Sequence, residues 1–176
     1  MANTKQIIKE RRLQDDVWKV VNLADGQAAA DVRLPFGPLL VPPAVWQEKK
    51  ECLIHREYED GSPLGLWLSP EDRVEDIAKD IGDFTVIAIH FPKLADGRGY
   101  TTARLLRERY GYDGEVRAFG DIGRDQIFFL NRVGFDAFVL GEGKSAEDAL
   151  KAFDDFPETY QAAADQPDPL FRRRAA

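Results

Sequence analysis

Residues 91–140 read FPKLADGRGYTTARLLRERYGYDGEVRAFGDIGRDQIFFLNRVGFDAFVL, and their pattern decides the fold. Two loops rich in Gly, Asp and Arg occur here, Asp96-Gly97-Arg98-Gly99 and Gly120-Asp121-Ile122-Gly123-Arg124-Asp125. Each separates an apolar, strand-like run from a helix-like run. Repeated strand–loop–helix order predicts βα units, and such units bind ligands at the C-terminal ends of their strands. The loops therefore predict where a site lies, without naming a reaction.

The rhythm extends in both directions. Residues 84–91, FTVIAIHF, are β-branched and apolar on both faces, which a central parallel strand requires. Residues 64–68, 115–119 and 137–140 read as further strands. Ser69 as N-cap and Pro70 in the first turn predict a helix whose stripe is Val74, Ile77, Ala78 and Ile81. Further helices are predicted over 100–110, over 123–133 and through 153, the last opened by Ser145 with Asp148 as a capping box. About four βα units result, so the fold class is α/β with a parallel sheet and right-handed crossovers. A half-barrel and an open, Rossmann-like sheet both satisfy this pattern.

Upstream, Pro42-Pro43-Ala44 opens a helix that would lay Trp46, Lys50 and Leu53 on the body. Residues 1–41 read as a small N-terminal β arm, with a strand near 17–21. Residues 42–160 form the α/β domain. Residues 161–176 are polar, contain proline and end near Arg172-Arg173-Arg174, which predicts a flexible tail.

Bulk composition narrows the function classes. A chain of 176 residues, 44% hydrophobic and 31% charged, has the make-up of a globular domain. A net charge of −7 disfavours general nucleic-acid binding, which rests on neutralising phosphates. No run approaches the ~20 apolar residues of a membrane span, and no signal-peptide core is visible, so cytoplasmic residence is expected. Cys52 is the single cysteine, which excludes an internal disulfide and a thiolate-rich zinc or iron–sulfur site within one chain. It reads as a half-buried apolar residue. His55 reads as a surface residue, far from His90, so no metal site is expected. Gly141-Glu142-Gly143-Lys144-Ser145 resembles a phosphate loop, but the Walker pattern needs Gly at position 138, where Phe stands. No Gly-x-Gly-x-x-Gly follows a strand, so no dinucleotide cofactor is indicated.

The candidate catalytic residues are Asp96, Asp121 and His90. A carboxylate at a strand end suits general acid–base work, and an imidazole at a site mouth titrates near neutrality. The competing and preferred reading of His90 is a core-edge histidine hydrogen-bonded to backbone. The candidate anion-binding residues are Arg98, Gly99, Arg124 and Asp125, where guanidinium groups meet glycine-bearing turns and helix starts. The competing readings are an Asp96–Arg98 pair that pins its loop and an Asp125 that only complements a helix dipole. Four consecutive apolar residues, Ile127-Phe128-Phe129-Leu130, cover more than one helical stripe and predict a wedged helix or a homodimer contact.

The segment 91–140, with its DGRGY and GD-x-x-RDQ elements, resembles the bacterial family catalogued as domain of unknown function 934. Gly37-Pro38-Leu39-Leu40-Val41-Pro42, Ala44-Val45-Trp46 and Leu66-Trp67-Leu68 are also similar to that family, so the resemblance spans about residues 37–160. It implies a role in assimilatory sulfite reduction, beside sulfite reductase and phosphoadenylyl-sulfate reductase. It brings no catalytic residues with it. Val133 stands where the family often has Cys, which argues against a thiol mechanism here. Three functions follow as expectations. One is an accessory or oxidoreductase protein of sulfate/sulfite reduction that binds an anion or a partner reductase, with electrons supplied by another protein. The second is a small enzyme doing acid–base chemistry on an anionic metabolite. The third is a structural dimeric scaffold.

Overall fold

The computed structural model describes residues 6–93 and 95–174. Within them the chain is mixed α/β, built on one eight-stranded sheet. The strands are β1 (Gln6–Lys9), β2 (Arg12–Asp15), β3 (Lys19–Val20), β4 (Leu39–Val41), β5 (Leu64–Leu68), β6 (Val86–Phe91), β7 (Glu115–Gly120) and β8 (Ala137–Val139). Their order is β2-β1-β8-β7-β6-β5-β4-β3. Neighbours from β3 to β8 pair in parallel, whereas β1 pairs antiparallel to both β2 and β8.

The parallel strands thus run sequentially across the sheet, with no point at which the order reverses. An open doubly wound sheet needs such a reversal, so the Rossmann-like alternative does not apply. The expected four-unit parallel sheet is also too small. Residues read as a separate arm supply β1 to β4, which add two antiparallel strands at one edge and two parallel strands at the other. Short, polar-flanked strands of four or fewer residues carry little periodic signal, which is why pattern alone separated them from the domain.

Topology also forces the sheet to curl. β2 and β3 sit at opposite edges, and seven strand spacings of ~4.8 Å would hold them roughly 34 Å apart in a flat sheet. Only residues 16–18 connect them. The four Cα steps from Asp15 to Lys19 reach at most about 14 Å. The edges must therefore approach each other, which gives a curled half-barrel crossed by a three-residue strap.

Helices cover the convex face. They are α1 (Pro43–Asp60), α2 (Val74–Ile77), α3 (Arg98–Arg104), α4 (Arg124–Arg132), α5 (Ala146–Leu150) and α6 (Leu170–Arg173). α3 continues as a π-helical turn over Leu105–Arg109. Alternate strand residues, including Leu66, Ile87, Ile89, Phe91 and Ala118, form one apolar cluster with Trp46, Ala103, Leu106, Ile127 and Leu130 of the helices. The opposite, concave face carries Leu40, Val86 and Ala88, packed by Trp18, Trp67 and Phe119. β6 is buried on both sides as its sequence predicts.

Several local expectations change. Ser69 does not cap a long helix. Its N–H and hydroxyl both donate to the Asp72 carboxylate at 2.7 Å, closing a turn, and α2 starts only at Val74. Cys52 is exposed rather than half-buried. Residues 161–174 hydrogen-bond to the body. Arg132 donates to the Gln161 carbonyl and to Asp165, and the Leu170 N–H donates to the Tyr160 carbonyl. Residues 1–5 of the expected arm and 175–176 of the expected tail lie outside the described residues. No helix among the described residues is long and apolar enough to cross a membrane.

Candidate functional site

The mouth of the half-barrel is formed by the loops that follow β5, β6, β7 and β8. His90 occupies its centre. It is the penultimate residue of β6, directly opposite Phe119 of β7 in the sheet register. The two rings stack with centroids 4.9 Å apart, and Trp67 of β5 meets both edge-on at 6.2 Å. Trp67 is held by its indole N–H, which donates to the Val21 carbonyl at 2.9 Å. Gly120 makes the close approach possible. Its φ is +110°, and a Cβ there would lie 2.3 Å from the Phe91 carbonyl oxygen and 2.9 Å from the His90 ring.

Partial burial pushes the His90 imidazole below its ordinary pKa of 6.5, with nearby Glu71 opposing this weakly. The ring is therefore neutral at pH 7, with one N–H to donate and one lone pair to accept. It is half-exposed, and no described residue hydrogen-bonds to it.

The charged candidates sort into three places. Arg98 is clamped by Asp96, with contacts of 3.0 and 2.7 Å, and also reaches Glu71 at 3.3 Å. This pairing, with the Arg98 N–H donating to the same carboxylate, holds the Asp96 carboxyl below the usual range. Asp96 is consequently a poor proton donor. Asp121 follows Gly120, its N–H donates to the Phe91 carbonyl at 2.7 Å, and its carboxylate pairs with Lys144 at 2.8 Å. Lys144 lies in the loop after β8 and also donates to the Ile122 carbonyl at 3.0 Å. Glu71–Arg98–Asp96 and Asp121–Lys144 therefore flank His90 from neighbouring loops.

Arg124 goes elsewhere. Its guanidinium grips Asp155 at 2.7 and 2.9 Å and reaches Asp148 at 3.4 Å, tying α4 to the segment around α5. Asp125 stands in the first turn of α4. Gly99 serves packing, because a Cβ there would lie 2.5 Å from the Phe91 ring. Among the described residues, no group of three or more His, Cys, Asp or Glu is placed to hold a metal ion.

A cleft of about 860 Å³ adjoins the mouth, between Gln6 and Asp15 at the β1–β2 edge and residues 140–147, which include Lys144. Deeper in the concave face lies a charged network that sequence reading missed. Arg117, 3% exposed, donates to Glu115 at 2.7 Å and to Asp16 of the strap at 2.8 Å. Lys9 reaches the other Glu115 oxygen at 2.8 Å. A signal existed: Glu115 and Arg117 alternate with Val116 and Ala118, placing two charges on one face of a central strand. Trp67, Phe119, Glu71 and Lys144 were also overlooked, since they sit on four different elements and only folding gathers them.

The family model described as Bacterial protein of unknown function (DUF934) matches residues 65–171. The chain belongs to this family. The matched span runs from β5 to α6 and contains His90, both charged flanks and Arg124. The strap residues Asp16 and Trp18 precede it. No curated protein matches the chain.

Proposed function

We propose that this protein is an accessory protein of assimilatory sulfate or sulfite reduction that holds a small oxyanion over His90, alone or docked on a partner reductase. The observation that carries the binding part is the neutral, half-exposed imidazole, with no hydrogen-bond partner among the described residues, seated between two cation-bearing loops. The pathway part rests on the family resemblance. An oxyanion would accept from the His90 N–H and from Arg98 and Lys144.

Charge sets the strength of such binding. Glu71, Asp96 and Asp121 face Arg98 and Lys144, so an anion must displace a carboxylate before it meets either cation. The Arg98–Glu71 and Lys144–Asp121 pairs are open to water and screened by it, so displacing those two carboxylates costs little. The expected affinity is weak, roughly millimolar, or about −4 kcal/mol. Arg124 takes no part, being bound to Asp155 and Asp148.

Sulfite titration by calorimetry tests the reading. Arg98→Ala and His90→Phe should each weaken binding about tenfold, roughly 1.4 kcal/mol, while Arg124→Ala leaves it unchanged. Absence of any sulfite or sulfate binding at about 10 mM, roughly ten times the expected dissociation constant, would refute it. So would equal growth on sulfate with and without the protein.

A second reading, acid–base catalysis, is favoured by the same imidazole. It is the group at the mouth whose shifted pKa leaves it neutral at pH 7 and able both to give and to take a proton. In that case His90→Phe would abolish turnover without weakening substrate binding.

A further inference from the structure

The outer face of α4 carries an aromatic patch that neither the core nor the mouth uses. Ile127 and Leu130 of the four-residue apolar run are fully buried, so Phe128 and Phe129 turn outward. They meet Phe156, with centroids 5.3 Å apart for Phe128–Phe129 and 4.7 Å for Phe128–Phe156. Phe129 and Phe156 are each 52% exposed, and Tyr160 beside them is 67% exposed. These residues line a shallow groove of about 370 Å³. α6 is tethered beside the patch, its Leu170 N–H donating to the Tyr160 carbonyl.

We infer that this patch is an isologous interface between two copies of the chain, related by a two-fold axis. Three observations choose a second copy over a different partner. The first is area. At ~200 Å² per aromatic side chain, the exposures of Phe129, Phe156 and Tyr160 offer about 340 Å² of apolar surface. That is roughly two-fifths of the ~800 Å² each partner buries in a standard interface. The second is charge at the rim. Arg132 is paired with Asp165 at 2.9 Å, Arg174 with Glu158 at 2.7 Å, and Arg173 donates to the Thr159 carbonyl at 2.7 Å. These three cations are held within the chain, two by carboxylates and one by a carbonyl. Such a rim does not select an acidic or basic partner, but it suits a like face.

The third observation is the balance of the rest of the chain. With a net charge of −7, copies repel across most of their surfaces. A two-fold contact through this aromatic face keeps those surfaces apart. Self-complementarity is inherent in this symmetry, because an aromatic patch facing its own image is aromatic on both sides. The mouth around His90 stays outside the contact, on strand ends rather than on the α4 exterior.

Sedimentation equilibrium on the full chain at about 100 µM, well above micromolar dissociation constants, tests the inference. The wild type should sediment at twice the 19.9 kDa chain mass. Phe129→Asp should sediment at the single mass with unchanged circular dichroism. If that variant fails to fold, Tyr160→Glu on the more exposed side chain gives the same reading. In addition, Phe129→Cys in a Cys52→Ser background should form an intermolecular disulfide on oxidation. A wild type of single mass overturns the inference. So does a double mass that survives both Phe129→Asp and Tyr160→Glu, and so does a chain that associates only with a different protein.

Discussion

Arg117→Met tests the claim that a buried charge network holds the strap across the half-barrel. The methionine fills much of the volume but removes both donations, to Glu115 and to Asp16. Those carboxylates are 6% and 10% exposed at the side chain, so neither is well reached by water. Glu115 keeps Lys9, while among the described residues Asp16 keeps the Trp18 N–H at 3.1 Å. Breaking one side of a buried ion pair costs about 3–5 kcal/mol, because the remaining charge is left uncompensated. A domain of this size gains or loses roughly 2–4 °C per kcal/mol, so the expected fall in Tm is about 6–20 °C. Urea unfolding would show the same loss as a lower midpoint with an unchanged slope. Trp18 packs beside the Arg117 guanidinium, 5.8 Å from its ring centroid, so its fluorescence should shift towards that of a solvated indole. A loss below about 1 kcal/mol would refute the reasoning, since that is what an exposed pair is worth.

Four other expectations follow from the same geometry. In His90, burial favours the neutral ring, so the unfolded chain binds this proton more readily than the folded one. The stability that the neutral ring contributes is full above pH 6.5 and is lost as pH falls from 6.5 through the folded-state value; an NMR titration midpoint for His90 at or above 6.5 would contradict this. Gly99→Ala should destabilise by about 1–3 kcal/mol, because its Cβ would press within 2.5 Å of Phe91. Gly97→Ala, with nothing within 4 Å of its Cβ and φ at −82°, should be neutral or slightly stabilising in thermal melts. Arg107→Lys should cost about 2–4 kcal/mol, since one ammonium cannot replace a guanidinium that donates to three carbonyls and to Asp136; a melt within 2 °C of wild type, under about 1 kcal/mol, would show those bonds to be dispensable.

Much of the βα core was legible because its strands are long enough to show a pattern. Residues 84–91 announced β6 by being apolar on both faces, and Gly-Asp-Arg loops announced the strand ends. Ser145 was correctly read as an N-cap, its hydroxyl accepting from the Asp148 N–H at 3.2 Å. Of the candidate residues, His90, Asp96, Arg98 and Asp121 lie on or just after β6 and β7 at one end of the sheet, whereas Arg124 is paired with Asp155. Reading could not separate the two arginines, because each stands in a loop rich in Gly and Asp, and although Asp96 lies two residues from Arg98, the Asp155 that claims Arg124 is 31 positions away.

The sequence by itself determined the local choices: which runs become strands, where helices start, and that charged loops cap the strands. Those follow from hydrophobic period, proline and glycine, which act over a few residues. Tertiary structure alone decided the curl of the sheet, the recruitment of β1 to β4, and the Arg117–Asp16 contact across 101 positions. It also decided that His90 stacks on Phe119 and that two phenylalanines of the apolar run face outward. Each of these depends on which distant segments meet, and a three-residue strap between opposite sheet edges constrains that globally rather than locally.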